Sequence, residues 1–259
     1  YMNRIRPFIG GELIKVMTGI RRSGKSVMLE LIKEELAEAG VAPSQMISIN
    51  FEDMRYSHLQ TATALHDEII KRAEGIEGKA YLFFDEIQEV EGWEKCVNSL
   101  RVALDCDIYI TGSNAKLLSG ELATYIGGRY VEFVIYPFSF AEFLELYHTI
   151  APSDSIQQCF QKYLLAGGMP YLANLRYEEE PSRQYLTDLF NSVQLKDIVK
   201  RNKIRDIDLL ERIIAYMTAN VGTVFSASSL AKFFKNEQRT VAAETILNYV
   251  RYCCDAYLF

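Results

Sequence analysis

The most constraining feature of this chain is an eight-residue stretch, Gly19–Ser26, which reads GIRRSGKS. It matches the pattern G-x-x-x-x-G-K-S, in which backbone N–H groups surround a phosphate, the lysine reaches phosphate oxygens and the serine hydroxyl binds Mg²⁺. A strand-like run, IKVMT, precedes the loop, and a helical pattern from Ser26 to Ala39 follows it. The N-terminus of that helix favours an anion. Its apolar face is predicted to carry Val27, Leu31, Ile32 and Leu36.

The whole loop is therefore a candidate nucleotide-binding segment. Lys25 is expected to act on the reacting phosphate as well as to bind it. Two interpretations of Arg21 and Arg22 stay open, because they either touch phosphate or are solvated loop charges. The predicted nucleotide contacts in this segment are Gly19, Arg21, Arg22, Ser23, Gly24, Lys25, Ser26 and Val27.

A second element, YLFFDE, begins at Tyr81 and ends in Asp85 and Glu86. Four bulky apolar residues followed by two acids match the Walker B pattern of phosphate-loop enzymes. We expect Asp85 at the carboxyl end of a central strand, beside the strand that feeds the loop, where with Ser26 it holds Mg²⁺. Glu86, one residue further on, is predicted to polarise the attacking water as a general base.

Two further segments carry weaker signals. The apolar run Ile108–Ile110 leads into Thr111-Gly112-Ser113-Asn114, and a strand lying between the loop strand and the Asp85 strand would present Ser113 or Asn114 to the γ-phosphate and water. The alternative is an ordinary helix cap. Arg129 follows two glycines and either serves as an arginine finger in a neighbouring subunit or satisfies a helix dipole.

Strand and helix patterns alternate over the first 150 residues, which predicts an α/β fold with right-handed crossovers and a mostly parallel sheet. The run at 80–85 is apolar on both faces, as a central strand should be. The predicted strands are 13–18, 46–51, 80–85, 107–111 and 130–135. The predicted helices are 25–39, 62–74, 93–104, 115–126 and 139–148.

The alternation stops at a linker-like segment, residues 151–155. Residues 156–218 read as mainly helical, with breaks at 167–170 and near 180–181. From Ser226 two helices joined by a turn predict a helix-turn-helix or winged-helix unit. We therefore predict three parts, a P-loop core at 1–150, a helical lid at 151–218 and a winged-helix-like region at 219–259. The abrupt end at Phe259 leads us to expect that this last region is truncated.

Composition excludes several classes of protein. The chain is 49% hydrophobic and 12% aromatic, which argues against disorder, and its net charge of −6 gives no global attraction to nucleic acid. The five cysteines form no C-x-x-C pair and no zinc spacing occurs, so we expect a reducing cytoplasm. No signal peptide and no apolar run of about 18 residues is present, so no membrane association is predicted.

The strings GIRRSGKS, FFDEIQEVEGWE, TGSNAKLLSGELATYIGGRY and YPFSFAEF together resemble one family. It comprises AAA+ -type ATP-binding proteins of bacteria and archaea, related to the archaeal ATPases and the STAND class. The resemblance is close over residues 1–150 and looser beyond. It implies an additional-strand P-loop core, a helical lid, a winged helix and, often, a further nuclease-like domain that we expect to be missing from this chain.

The resemblance also assigns roles in the lid. Members carry a glycine-x-proline motif that lies against adenine, and Gly168-Met169-Pro170 matches it, which implies that Gly168 and Pro170 contact ATP. A second lid arginine facing the γ-phosphate is not found, which departs from the family pattern.

The sequence thus predicts an ATPase that uses ATP and Mg²⁺ and couples hydrolysis to movement of the lid. The alternatives are a slow nucleotide-dependent switch and a DNA-binding regulator. Arg251 and the preceding Arg239 are the only basic residues at the predicted recognition helix, which favours packing or a protein partner over DNA. A denser basic cluster, at 196–205, is a solvated face or a polyanion contact. Self-association is indicated only by Arg129.

Overall fold

The computed structural model describes residues 1–115, 127–236 and 239–259. The predicted helix at 115–126 thus lies almost wholly outside the described residues. The described chain divides into two compact units, Tyr1–Arg183 and Gln184–Phe259. This division falls inside the predicted lid, and the three-part organisation stays a prediction.

One five-stranded parallel sheet organises the first unit, in the order β2-β3-β4-β1-β5. The strands are β1 (Ile14–Thr18), β2 (Met46–Asn50), β3 (Ala80–Asp85), β4 (Cys106–Gly112) and β5 (Tyr130–Val134). The predicted α/β core with a parallel sheet and an additional strand is therefore confirmed. The expectation that β3 lies beside β1 is wrong, because β4 separates them, as the expected intervening strand before Ser113 and Asn114 requires.

Helices cover both faces of this sheet. On one face lie α1 (Met2–Ile5) and α2 (Lys25–Glu38), and on the other lie α3 (Ala62–Ala73) and α4 (Trp93–Ala103). Two further helices, α5 (Phe140–Ile150) and α6 (Ile156–Ala166), pack against each other. Successive strand residues point to opposite faces, so Val16 packs in the layer of α3 and α4 while Met17 packs in the layer of α2. Because apolar layers lie on both sides, the strands read as continuous hydrophobic runs.

The buried face of α2 differs from the predicted one. Met28, Leu29, Ile32 and Leu36 are buried, whereas Val27 is 60% exposed and Leu31 is 39% exposed. The predicted buried face is thus rotated by about one position from the observed one. Both sides of this helix carry apolar residues, so periodicity alone does not tell which side is buried. Val27 is thereby left facing outward, beside the loop.

The second unit is helical in its described residues. The helix α7 (Glu179–Ser192) crosses the boundary between the units and continues as a π-helix, Val193–Lys200. Pro181 lies in the first turn of α7, so it begins a helix there rather than breaking one. The remaining helices are α8 (Ile207–Ala219), α9 (Ala227–Asn236) and α10 (Ala243–Asp255).

The last three helices pack around an apolar core that includes Leu209, Leu230 and Ile246. Arg239 joins the turn before α10 to the start of α8, because its guanidinium binds the Asp206 carboxylate at 2.6 Å and also pairs with Asp208. These hydrogen bonds lower the pKa of both carboxyl groups. Arg239 therefore serves the fold of this unit.

A buried ion pair ties β1 to β4 near their amino ends. The Lys15 ammonium pairs with the Asp107 carboxylate, and both side chains are completely buried. Asp107 also accepts hydrogen bonds from the Tyr109 hydroxyl and the Gly10 N–H, each at 2.7 Å. Burial lowers the pKa of Lys15, because the charged ammonium is removed from water.

We predict that Asp107→Ala lowers the free energy of unfolding by about 3–5 kcal/mol, since it leaves a buried ammonium without its counter-charge. Asp105→Ala is the matched control, because it removes an exposed ion pair with Lys79 and should cost about 0–1 kcal/mol. Urea unfolding followed by circular dichroism measures both. Equal losses for the two variants would contradict the assigned role of the buried pair.

Candidate functional site

The loop after β1 begins where only glycine fits. Gly19 adopts a φ of 141°, and a methyl group there would overlap the carbonyl oxygen of Ile135. Ile135 follows β5, and its N–H donates to Thr18 O at 2.7 Å, so the chain leaving β1 passes directly against the end of β5. The first glycine of the motif is therefore required by backbone packing against the end of β5, in addition to any contact with a ligand.

The rest of the loop encloses the Lys25 ammonium. Gly24 takes a φ of 104° and leads into α2, whose first residue is Lys25. The Lys25 side chain is buried, and Nζ donates to the carbonyl oxygens of Gly19 and Ile20 at 3.1 and 3.0 Å. A positive charge and the N–H groups of a helix N-terminus are thus held together at one point, which is the arrangement that binds phosphate.

The side chain of Asp85 is oriented by two neighbouring strands. Thr111, buried in β4, donates its hydroxyl hydrogen to Oδ1 of Asp85, and Asn50 Nδ2, at the end of β2, donates to Oδ2 at 3.0 Å. The carboxylate is nearly buried and lies at the carboxyl edge of the sheet. Hydrogen bonds of this kind fix the direction in which a carboxylate presents its remaining lone pairs.

Glu86 has an unusual backbone. Its φ and ψ are 56° and 48°, in the left-handed region that non-glycine residues avoid. The Glu86 N–H donates to the Thr111 hydroxyl at 3.0 Å, which holds this conformation, and the carboxylate accepts a hydrogen bond from Gln88 Nε2. Backbone strain of about 1–3 kcal/mol is retained mainly at functional positions, so this carboxylate is placed at a cost in stability.

Ser113 and Asn114 follow β4 at the same edge and are both buried. Ser113 is 1% exposed, and its Oγ has no hydrogen-bond partner in the part of the chain that the structure describes. The same is true of Ser23 Oγ in the loop. Buried hydroxyls without partners are costly, and two of them at one edge fit a site that takes a polar ligand.

Arg129 lies at the other edge of the sheet. Its carbonyl oxygen accepts the N–H of Ile14 at 3.0 Å, at the start of β1, and its Nη1 donates to Asn98 Oδ1 at 3.4 Å. The five residues of β1 separate this position from Gly19 by roughly 16 Å. The structure therefore does not bring Arg129 to the loop of its own chain, and action in a neighbouring subunit stays a prediction.

A cleft of about 320 Å³ lies at the carboxyl edge of the sheet and is lined by Lys25, Ser26 and Glu86, whereas Asp85, Ser113 and Asn114 are not among its lining residues. Val27 and Glu86 both line it, which accounts for the outward position of Val27. Across from the loop, a 3-10 helix at Pro170–Ala173 supplies Pro170 and Tyr171, and Asn174 follows. The lining residues are Arg21, Arg22, Gly24, Lys25, Ser26, Val27, Glu52, Glu86, Pro170, Tyr171 and Asn174.

Of the two lid positions taken from the family motif, only Pro170 lines this cleft. Gly168 packs instead on the backbone of Phe138, where its carbonyl accepts the Phe138 N–H at 2.7 Å and a methyl group would overlap the Phe138 carbonyl oxygen. The glycine is thus required by a close backbone contact. An adenine contact by Gly168 stays a prediction.

Sequence reasoning missed several residues of the site. Glu52, Tyr171 and Asn174 line the cleft, and Asn50 and Thr111 orient Asp85. A signal existed for Asn50 and Glu52, because they follow a predicted parallel strand and so belong at the same edge as Asp85. Nothing in the sequence marks Asn174, whose place depends on the path of the chain after Pro170.

These residues fit Mg²⁺ and a nucleotide triphosphate. Hard oxygen donors suit Mg²⁺, which usually takes one or two protein ligands and keeps water and phosphate oxygens as the others. Asp85 supplies an oriented carboxylate, and Ser26 lines the cleft at the helix N-terminus. The orphaned hydroxyl of Ser23 and the buried Lys25 ammonium supply polar partners for phosphate.

The fold and the site define a class, the additional-strand P-loop proteins of AAA+ type. Residues 12–144 match the family AAA_14, described as an AAA domain, and the chain belongs to that family. Residues 157–259 are similar to a domain of unknown function, DUF8612. The family resemblance drawn from the sequence is therefore confirmed.

Two relatives, both described as uncharacterized, are similar over nearly the whole chain. One, from Haemophilus influenzae, is 37% identical over 260 residues, which is 100% of this chain and 64% of the relative. The other, MJ1544 from Methanocaldococcus jannaschii, is 33% identical over 257 residues, covering 95% of this chain and 55% of the relative. The chain thus spans less than two thirds of the length of either relative.

Solved structures show only distant likeness. AMPPCP-bound DnaA from Aquifex aeolicus aligns with 12% identity and a TM-score of 0.48, over 96% of this chain and 84% of that one. Aeropyrum pernix ORC1 in complex with DNA aligns with 13% identity and a TM-score of 0.42, over 97% and 80% of the two chains. At these identities and TM-scores, neither structure supports a conclusion about the function of this chain.

No helix in the described ranges is both long enough and apolar enough to cross a membrane.

We predict that Gly168→Ala destabilises the first unit by about 1–3 kcal/mol, the usual cost of forcing extra atoms into a packed site. Thermal unfolding measures the loss. Ala173→Gly, a change one turn further on that adds no atoms, is the control and should cost only about 1 kcal/mol. Wild-type stability in Gly168→Ala, together with loss of nucleotide affinity, would mean that this glycine serves the ligand rather than the packing.

Proposed function

We propose that the cleft binds ATP with Mg²⁺ and hydrolyses it. One observation carries this proposal: the buried Lys25 ammonium, the oriented Asp85 carboxylate and the strained Glu86 lie at a single edge of one parallel sheet. Membership of the AAA domain family supports the same reaction.

In this proposal Lys25 and the N-terminus of α2 bind the β- and γ-phosphates. Ser26 and Asp85 are the protein ligands of the metal. A bound Mg²⁺ would neutralise charge that develops on the transferring phosphoryl group. Thr111 contributes indirectly, because its single hydroxyl holds both the Asp85 carboxylate and the Glu86 backbone.

Glu86 is the proposed general base. Its carboxylate lines the cleft and is nearly buried, so it is shielded from bulk water while it faces the ligand. Gln88 holds one carboxylate oxygen, which leaves the other to accept a proton from an attacking water. Ser113 or Asn114 is proposed to orient that water or the γ-phosphate, which the unpartnered Ser113 hydroxyl among the described residues supports.

Pro170 and Tyr171 form the opposite wall and are the proposed contacts for the nucleoside. Movement of the segment after α6 on nucleotide exchange would then couple the chemistry to the lid. The predicted winged-helix-like region at 219–259, which contains α9 and α10, is proposed to bind a protein partner. DNA binding by this region is not favoured, since Arg239 is engaged by Asp206 and Asp208.

We expect Glu86→Gln to keep the ATP affinity and to lower turnover by about 10²–10⁴-fold, because the amide cannot accept the proton. Phosphate release under saturating ATP measures the rate, and calorimetry measures the affinity. Lys25→Ala is the contrasting variant and should abolish measurable binding. Turnover at the wild-type rate in Glu86→Gln would show that another group is the base.

Arg129 is proposed to act on the γ-phosphate of a neighbouring subunit. The turnover rate per subunit should then rise with protein concentration, and Arg129→Ala should remove the increase, since arginine fingers contribute about 10³–10⁵ in rate. Arg183→Ala, which removes another exposed arginine paired with Glu180, is the control. A rate per subunit that is independent of concentration would contradict action in trans.

A further inference from the structure

An ion pair crosses the mouth of the cleft. Arg21, in the loop after β1, pairs with Glu52, in the turn after β2, with Nη1 and Oε1 2.9 Å apart. The Arg21 side chain is 17% exposed and the Glu52 side chain is 55% exposed. Both residues line the cleft together with Glu86.

The strand order gives this pair its significance. β3 and β4 separate β1 from β2, so the ends of β1 and β2 lie about 14 Å apart at a strand spacing of about 4.8 Å. Arg21 and Glu52 thus belong to loops that flank the ends of β3 and β4, and their side chains meet at the cleft that Glu86 also lines. Asp85, Glu86 and Ser113 come from those ends.

The turn that carries Glu52 is also tied to the candidate metal ligand. The Glu52 N–H donates to Asn50 Oδ1 at 2.9 Å, and Asn50 Nδ2 donates to Asp85 Oδ2 at 3.0 Å. Glu52 is thus held in position by the same side chain that orients Asp85. The backbone from which the Glu52 carboxylate extends is therefore anchored to the candidate metal ligand.

A guanidinium binds carboxylate and phosphate oxygens with the same paired geometry. For Glu86 to activate a water, the terminal phosphate must lie near Glu86, in the cleft that Arg21 and Glu52 also line. An anionic phosphate there competes with Glu52 for Arg21. A diphosphate held by Lys25 and Ser26 ends short of this region and leaves the pair intact.

We propose that Arg21 exchanges Glu52 for the terminal phosphate of a nucleoside triphosphate, so that this ion pair makes the cleft distinguish triphosphate from diphosphate. The inference rests on the proposed function and adds Arg21 and Glu52 to it as the residues that read the third phosphate. Glu52 opposes triphosphate binding, and Arg21 favours it.

The test is the ratio of two affinities in Mg²⁺-containing buffer, for ADP and for a non-hydrolysable ATP analogue, by calorimetry. Glu52→Gln keeps the shape of the side chain and removes its charge. It should tighten binding of the analogue about two- to fivefold, the range that exposed ion pairs contribute, and leave ADP affinity unchanged. Arg21→Ala should weaken the analogue about tenfold and ADP by less than about twofold.

Glu30→Gln is the matched control, because it removes an exposed ion pair with Lys33 on α2, outside the cleft lining. It should change neither affinity. Equal unfolding temperatures of the wild type and Glu52→Gln show that the variant keeps the fold. If Arg21→Ala does not fold, the affinities of Glu52→Gln alone test the inference.

If Glu52→Gln leaves the ratio of the two affinities unchanged, because neither affinity moves or both move equally, the inference is overturned. The proposed function still stands in that case, provided that the wild-type protein binds nucleotide. Failure of the wild-type protein to bind either nucleotide would overturn the proposed function and this inference together.

Discussion

The parallel pairing of β4 with both β1 and β3 is the constraint on which the rest of the site depends. It places two strand spacings, about 10 Å, between the phosphate loop and Asp85. The end of β4 fills that gap and brings Thr111 beside Asp85. The Lys15–Asp107 pair fixes the same β1–β4 contact from the opposite edge.

In this arrangement the Thr111 side chain makes two hydrogen bonds that shape the site. Thr111, the penultimate residue of β4, lies beside Asp85, so its hydroxyl reaches both that carboxylate and the Glu86 N–H. The left-handed conformation of Glu86 is held by this bond, and the conformation turns the chain at the carboxyl edge. A change in the pairing of β4 would therefore disturb the proposed metal ligand and the proposed base together.

Much of the core was predictable from the sequence, because its signals are local. Five apolar runs gave five strands, and the acids after Phe84 were expected at the edge where the structure has them. Strand order was harder, since the sequence supported both β3 beside β1 and a strand between them, and apolar runs do not specify which strands are neighbours. The buried face of α2 was predicted about one position off for a related reason, because apolar residues occur on both of its sides.

Tertiary contacts defined the remainder of the site. Glu52, Tyr171 and Asn174 reach the cleft through turns whose course depends on the packing of other segments. Gly168 shows the converse, since its motif predicted a ligand contact, whereas its carbonyl and Cα pack on Phe138. A motif identifies a backbone requirement more reliably than it identifies which partner imposes that requirement.

The central claim is that this edge of the sheet binds a metal–nucleotide complex through Asp85. Calorimetric titration of the wild-type chain with ATP, once with Mg²⁺ and once with EDTA, tests it most directly, alongside the same pair of titrations on Asp85→Asn. The account predicts that Mg²⁺ tightens ATP binding to wild type and has no such effect on the variant. Identical ATP affinities of the wild-type chain with and without Mg²⁺ would contradict it.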